Sequence, residues 1–163
     1  MSEGVKTIFF SGINGIGMSG LAKIMVTKGY NVYGSDIAEK PVSKQLRDMG
    51  VGMFIGQEAK NLEGKNIDLF IYSSAIKENN PEYKYAVNNN IKKIKRGELL
   101  ALLMNDSKGI AVAGTHGKTT TSSMLAHILK QSHLDCNAFL GGILKNYSSN
   151  LMLSDKSEFT VIE

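Results

Sequence analysis

Twice in 163 residues an apolar run breaks at a glycine-rich turn and resumes at once with helical period, an order that few folds accept. The first instance starts with Thr7-Ile8-Phe9-Phe10 in a strand over residues 6–11 and passes through the glycines of 12–17. It continues with Met18, Leu21, Ala22, Met25 and Val26, spaced as one side of an amphipathic helix. Gly29 closes that helix. The second starts with a strand over 109–113, turns through 114–118 and continues over 119–131, with Met124, Leu125, Ile128 and Leu129 as the predicted inward stripe. Strand, tight turn and helix in that order gather unpaired backbone N–H groups at a helix N-terminus, where an anion is favoured.

The rest of the chain extends the alternation. Strands are predicted at 31–35, 51–55, 67–72 and 91–94. Helices are predicted from Pro41 with Leu46 and Met49 inward, from Asn80-Pro81-Glu82 with Ala86 and Val87 on the apolar side, and over 97–104. Short connections between such elements imply an α/β fold with a parallel sheet covered on both faces. The polar break Asn105-Asp106-Ser107-Lys108 predicts a boundary between a domain of residues 1–106 and a second of 107–163, in which 137–140 and 159–162 are further strands.

Composition narrows the function. Hydrophobic residues at 42% supply a core. The net charge of +4 comes from scattered lysines, with only Lys92, Lys93, Lys95 and Arg96 clustered. Without a basic stripe and stacking aromatics no nucleic-acid partner is expected, although a positive field favours phosphates. The lone Cys136 reads as a core residue of a protein in a reducing, cytoplasmic compartment. No apolar run approaches the ~20 residues that span a bilayer, so no membrane insertion is expected. An oligomer is left open.

The second loop, Gly114-Thr115-His116-Gly117-Lys118-Thr119-Thr120-Thr121, carries the chemistry of a nucleoside triphosphate site, with ATP the expected ligand. Lys118 would bring its charge to the β- and γ-phosphates, and the Thr119 hydroxyl would ligate Mg2+. Val112 stands where the longer form of such loops has glycine, so this is the shorter Gly-x-x-Gly-Lys-Thr form. His116 either orients a substrate phosphate or only hydrogen-bonds the loop.

The first loop, Gly15-Ile16-Gly17-Met18-Ser19-Gly20, matches Gly-x-Gly-x-x-Gly, and Asp36 follows at the end of the second strand. That arrangement seats a diphosphate at the helix start and a hydroxylated sugar near the acid. NAD fits it, and so does a nucleotide-sugar diphosphate. Ser73-Ser74-Ala75-Ile76 follows the strand at 67–72, at the strand end where open α/β sheets bind ligands. Two phosphate sites in one short chain favour an ATP-driven step on a nucleotide-linked substrate over a simple dehydrogenase.

Residues 12–20, Gly34-Ser35-Asp36, Ser73-Ser74-Ala75-Ile76 with Asn80-Pro81-Glu82, and residues 109–121 together resemble the Mur ligase family across essentially the whole chain. Within the family they resemble the branch that adds L-alanine, the first amino acid, to UDP-N-acetylmuramic acid. The branch that attaches whole peptides in recycling is the second choice, and a nicotinamide-dinucleotide-binding regulatory module is the reading outside the family.

The resemblance implies a Rossmann-like domain that binds the UDP-sugar through Gly15, Ile16, Gly17, Met18, Asp36, Ser74, Ala75 and Ile76. It implies a central domain that binds ATP through Gly114, Thr115, His116, Gly117, Lys118, Thr119 and Thr120. Thr119 and Glu163 become the Mg2+ ligands, and Lys118 and His116 the catalytic candidates. The reaction implied is phosphorylation of the muramoyl carboxylate by ATP and attack of the L-alanine amine on the acyl phosphate. Asn14 replaces a usual glycine of the turn, and asparagine tolerates positive φ. The family's central domain continues beyond Glu163 and a third domain follows, so the chain reads as a piece that binds without catalysing. Residues after about Gly142 are therefore expected to be less ordered or packed on another chain.

Overall fold

A computed structural model of the chain describes residues 4–105, 107–147, 149–152, 154 and 156–163, apart from the side chain of Met104. It divides into two compact units, Met1–Leu100 and Ala101–Glu163. Asp106, in the polar break expected to separate the domains, lies outside the described residues.

The first unit is built on five strands: β1 (Thr7–Ser11), β2 (Asn31–Asp36), β3 (Gly52–Ile55), β4 (Leu69–Tyr72) and β5 (Lys92–Lys95). They lie in the order β3-β2-β1-β4-β5, every pairing parallel. Parallel strands need crossovers. The helices α1 (Ile16–Thr27), α2 (Pro41–Asp48) and α3 (Pro81–Asn88) supply three of them, the segment holding the short turn Ala59–Asn61 joins β3 to β4, and α4 (Arg96–Asn105) follows β5 directly. All five residues of β1 are buried, as a strand covered on both faces requires. One face is aromatic: Phe9 stacks between Phe54 and Phe70, and Tyr83 of α3 meets Phe70 and Tyr72 edge-on. Ile8 and Phe10, one residue out of phase, serve the opposite face and are fully buried.

The second unit holds β6 (Lys108–Ala111), α5 (Lys118–Gln131), β7 (Asn137–Leu144), β8 (Ser149–Met152) and β9 (Phe159–Ile162), with strand order β6-β9-β7-β8. β9 pairs in parallel with both β6 and β7, and β8 returns antiparallel to β7. Against the expectation that residues beyond Gly142 are less ordered or packed on another chain, three described residues of that span are buried within this unit. Met152, Val161 and Ile162 are buried, and Met152 and Val161 share a core with Ala126, Leu129, Cys136, Ala138 and Leu140.

Three predicted helix faces are also corrected. Met124 and Ile128 of α5 are 60% and 61% exposed, whereas Ser122, Ala126 and Leu129 face inward. Polar pins at the helix start choose that face: Thr119 and Ser122 both hydrogen-bond Glu163 at the end of β9. In α3 the buried Glu82 fixes the face, so Ala86, one turn on, is covered and Val87 is exposed. In α2 Leu46 takes the core position and Met49, at the helix end, stays half out. Cys136 is buried, its Sγ on the Ala126 carbonyl, and burial pushes its thiol pKa up.

Candidate phosphate and nucleotide sites

In the first unit the strand order reverses direction between β1 and β4, each connected outward from there, and ligands of open α/β sheets bind in the crevice at such a point. The loop after β1 and the loop after β4 meet in that crevice. A Cβ built on Gly12 would lie 3.0 Å from Ser73 Oγ and 3.8 Å from Ile76 Cδ1. Gly12 and Ile13 both donate backbone N–H to the Ser35 carbonyl, which ties the loop to the end of β2. Ser74 and Ala75 stay exposed, and Ser73 and Ile76 are half-buried.

α1 opens from Gly15 with no side-chain cap and no acid in its first turn, so its first N–H groups remain available to an anion. Ile16 is exposed at this opening, and Met18 turns its side chain into the core and offers only backbone. Asp36 is buried: Oδ2 accepts the Asn14 N–H and Oδ1 accepts the Ile37 N–H, each at 2.8 Å. The acid expected to meet a sugar thus shapes the loop as well.

Asn14 corrects another expectation. The non-glycine residues with positive φ are Asn66, Asn90 and Asp135 among the described residues, and Asn14 is not one of them. Its side chain is a buried latch instead, donating to the Ala38 carbonyl and accepting from Ser43 Oγ.

Sequence reading missed the group beneath this loop. Glu82, noted only as an acid in a first helical turn, is fully buried. Its Oε2 accepts from Ser11 Oγ at 2.5 Å and Ser35 Oγ at 2.6 Å, and its Oε1 accepts from Asn61 Nδ2 at 2.8 Å. One carboxyl thereby joins the ends of β1 and β2, the turn at Ala59–Asn61 and α3. Burial raises its pKa, against the pull of those three hydrogen bonds.

In the second unit Gly117 caps α5 at φ 76°, a left-handed conformation that a side chain resists. Lys118 Nζ donates to the loop carbonyls of Gly114 at 2.7 Å and Thr115 at 3.2 Å. Thr115, His116 and Thr120 are exposed. The residues named for a metal come together: Thr119 Oγ1 donates to Glu163 Oε1 at 2.5 Å, while Ser122 Oγ and the Gly141 N–H hold Oε2 at 3.1 and 3.0 Å. Burial works to raise the Glu163 pKa, but these hydrogen bonds and nearby Lys118 outweigh it and hold the carboxyl below its ordinary value. Hard oxygen donors, one of them anionic, suit Mg2+, which takes few protein ligands and fills its remaining positions with phosphate and water. No group of three or more His, Cys, Asp or Glu able to hold a metal occurs among the described residues. No helix among them is long and apolar enough to cross a membrane.

The model of the Mur ligase family, catalytic domain, matches residues 7–108. A UDP-N-acetylmuramate–L-alanine ligase of Fusobacterium nucleatum is 50% identical over 161 residues, covering 99% of this chain and 33% of that protein. Among solved structures, the UDP-N-acetylmuramate-alanine ligase of Thermotoga maritima aligns with a TM-score of 0.84 at 33% identity, over 96% of this chain and 36% of that one. The UDP-N-acetylmuramate:L-alanyl-gamma-D-glutamyl-meso-diaminopimelate ligase of Neisseria meningitides aligns with a TM-score of 0.88 at 30% identity, over 98% and 52%. The chain spans about a third of the length of the curated relatives it matches.

Proposed function

The chain belongs to the Mur ligase family, and from that premise we propose that it holds the UDP-sugar-binding and ATP-phosphate-binding parts of an enzyme ligating L-alanine to UDP-N-acetylmuramic acid. The observation that carries this reading is the pairing of two differently built anion sites. One is a glycine loop shaped by Asp36 at a sheet switch point; the other is a Gly-Lys-Thr loop with a carboxylate already on its threonine. A dehydrogenase has no use for the second.

Each residue then has a task. The N–H groups at Ile16, Gly17 and Met18 receive the diphosphate of the UDP-sugar, and Gly15, whose own N–H bonds the Gly12 carbonyl, lets the ligand approach the turn. Asp36 holds their loop, and Ser74, Ala75 and Ile76 face the nucleoside or sugar. The loop from Gly114 to Thr120 cradles the triphosphate of ATP. Lys118 exchanges the carbonyls of Gly114 and Thr115 for phosphate oxygens, and His116 is available to touch the transferred phosphoryl group. Thr119 and Glu163 hold Mg2+, which when bound neutralises charge on the phosphate oxygens. The muramoyl carboxylate attacks the γ-phosphorus and releases ADP. The L-alanine amine then attacks the acyl carbon, forming the amide and expelling inorganic phosphate. Lys118 stabilises the charge that builds up in the first step.

Calorimetry of the chain with UDP-N-acetylmuramic acid, with NAD in a parallel titration, tests the reading. Binding of the UDP-sugar and no binding of NAD is the expected result. NAD binding without UDP-sugar binding would overturn it in favour of a nicotinamide-binding module.

A further inference from the structure

Gly17 lies inside the first turn of α1, and glycine is a poorer helix former than alanine. Its φ is not positive, so no backbone conformation calls for glycine here. Space does. A Cβ at this position would overlap Arg96 Nη1 and lie 3.2 Å from Arg96 Cδ and 3.3 Å from Cζ. The glycine of the motif that is usually assigned to close approach of a ligand is here occupied by a guanidinium of the same unit.

The turn that carries Arg96 is fixed from below. β5 runs straight into α4, so Arg96 stands at the C-terminal end of a parallel strand, on the ligand-binding edge of the sheet. The Lys95 N–H donates to Glu98 Oε2 at 2.6 Å, which fixes the turn, and Leu99 is fully buried beside it. The guanidinium itself is exposed, and it has no hydrogen bond or ion pair with any described residue. Five N–H donors stand at the uncapped, acid-free start of a helix, with no acceptor among the described residues.

We propose that Arg96 is a diphosphate-binding residue of the nucleotide-sugar site, contacting the ligand's phosphate oxygens beside the first turn of α1. The assignment rests on the UDP-sugar reading above and adds a residue to it. A planar guanidinium suits two oxygens of one phosphate, or one from each of two, better than an ammonium does. Gly17 is thereby a positioning residue, whose missing side chain lets Arg96 reach.

Calorimetry with UDP and with uridine on the whole chain tests this. Arg96→Ala is expected to weaken UDP binding about ten- to hundredfold, the range for hydrogen bonds to a charged group, and to leave uridine binding unchanged. Arg96→Lys should recover part of the loss, and Gly17→Ala should reproduce it. Adding Gly17→Ala to Arg96→Ala should cost little more, because both changes remove the same contact. Melting curves of the Arg96 variants should match wild type, since the side chain is exposed. Wild type that binds UDP while Arg96→Ala binds it equally well overturns the assignment alone. A loss shared equally by UDP and uridine also overturns it, because the residue would then act on the fold of the site and not on the diphosphate. Wild type that binds no UDP overturns the underlying reading together with this one.

Discussion

Glu82 and Asp36 show how much a single carboxyl can organise when it is denied to solvent. Replacing Glu82 by alanine leaves Ser11, Ser35 and Asn61 with buried polar groups and no common acceptor. A loss of about 2–4 kcal/mol is expected in denaturant unfolding. Glu82→Gln keeps the size and isolates the charge. Burial holds the carboxyl pKa above its ordinary value, with Asp36 adding to the rise, despite its three hydrogen bonds. A proton bound more tightly in the folded state stabilises the fold below the unfolded pKa, and that contribution fades as pH rises through the folded value. Wild-type stability relative to Glu82→Gln should therefore be level at acid pH and fall as pH climbs above the ordinary carboxylate range. A difference that grows with pH would refute this. Asp36 was legible in the sequence from its distance to the glycines. Glu82 was not, because a first-turn acid is a routine surface residue and only the sheet's closure reveals what lies above it. Arg96 left a fainter sign: a cation at the end of a predicted strand was counted with a lysine cluster, not placed on the ligand edge.

Elements were read more reliably than their faces. The strands and helices of the first unit followed from alternating apolar runs and glycine stops. β8 did not, because Ser149–Met152 is short and has no alternation of its own; it exists by pairing with β7. α5 is the instructive error. Hydrophobicity alone favours a stripe through Met124 and Ile128, but the loop that starts the helix must turn Thr119 and Ser122 toward Glu163. Residues three, four and seven positions on from those share their side, so Ala126 and Leu129 go inward and Met124 and Ile128 go out. Lysine at Met124 or Ile128 should therefore change the stability of this chain by no more than about 0.5 kcal/mol. Leu129→Ala should cost about 2–3 kcal/mol. Urea titrations of the three variants check the rotation of the helix, and a large loss at Met124 or Ile128 would show that the stripe faces a core after all.

At the scale of the whole molecule, each anion site sits on its own sheet with its own core. The aromatic cluster around Phe9 and Phe70 draws only on the first unit, and the cluster around Ala126 and Val161 only on the second. A ligand stabilises the cooperative unit that binds it, by about 2.7 kcal/mol at a hundred times its dissociation constant. Amides that exchange only when their unit opens slow by the same factor, about a hundredfold. UDP at that concentration should thus protect β1, β2 and β4 and leave the exchange of β6 and β9 unchanged. Exchange followed by mass spectrometry with and without UDP reads both sets of strands in one sample. Equal protection of β6 and β9 would mean that the two cores open together, and the ligand's free energy would then belong to the chain as one cooperative body. Protection confined to β6 and β9 would move the nucleotide from the loop at Gly15 to the loop at Gly114, and with it the division of labour between the two phosphate sites.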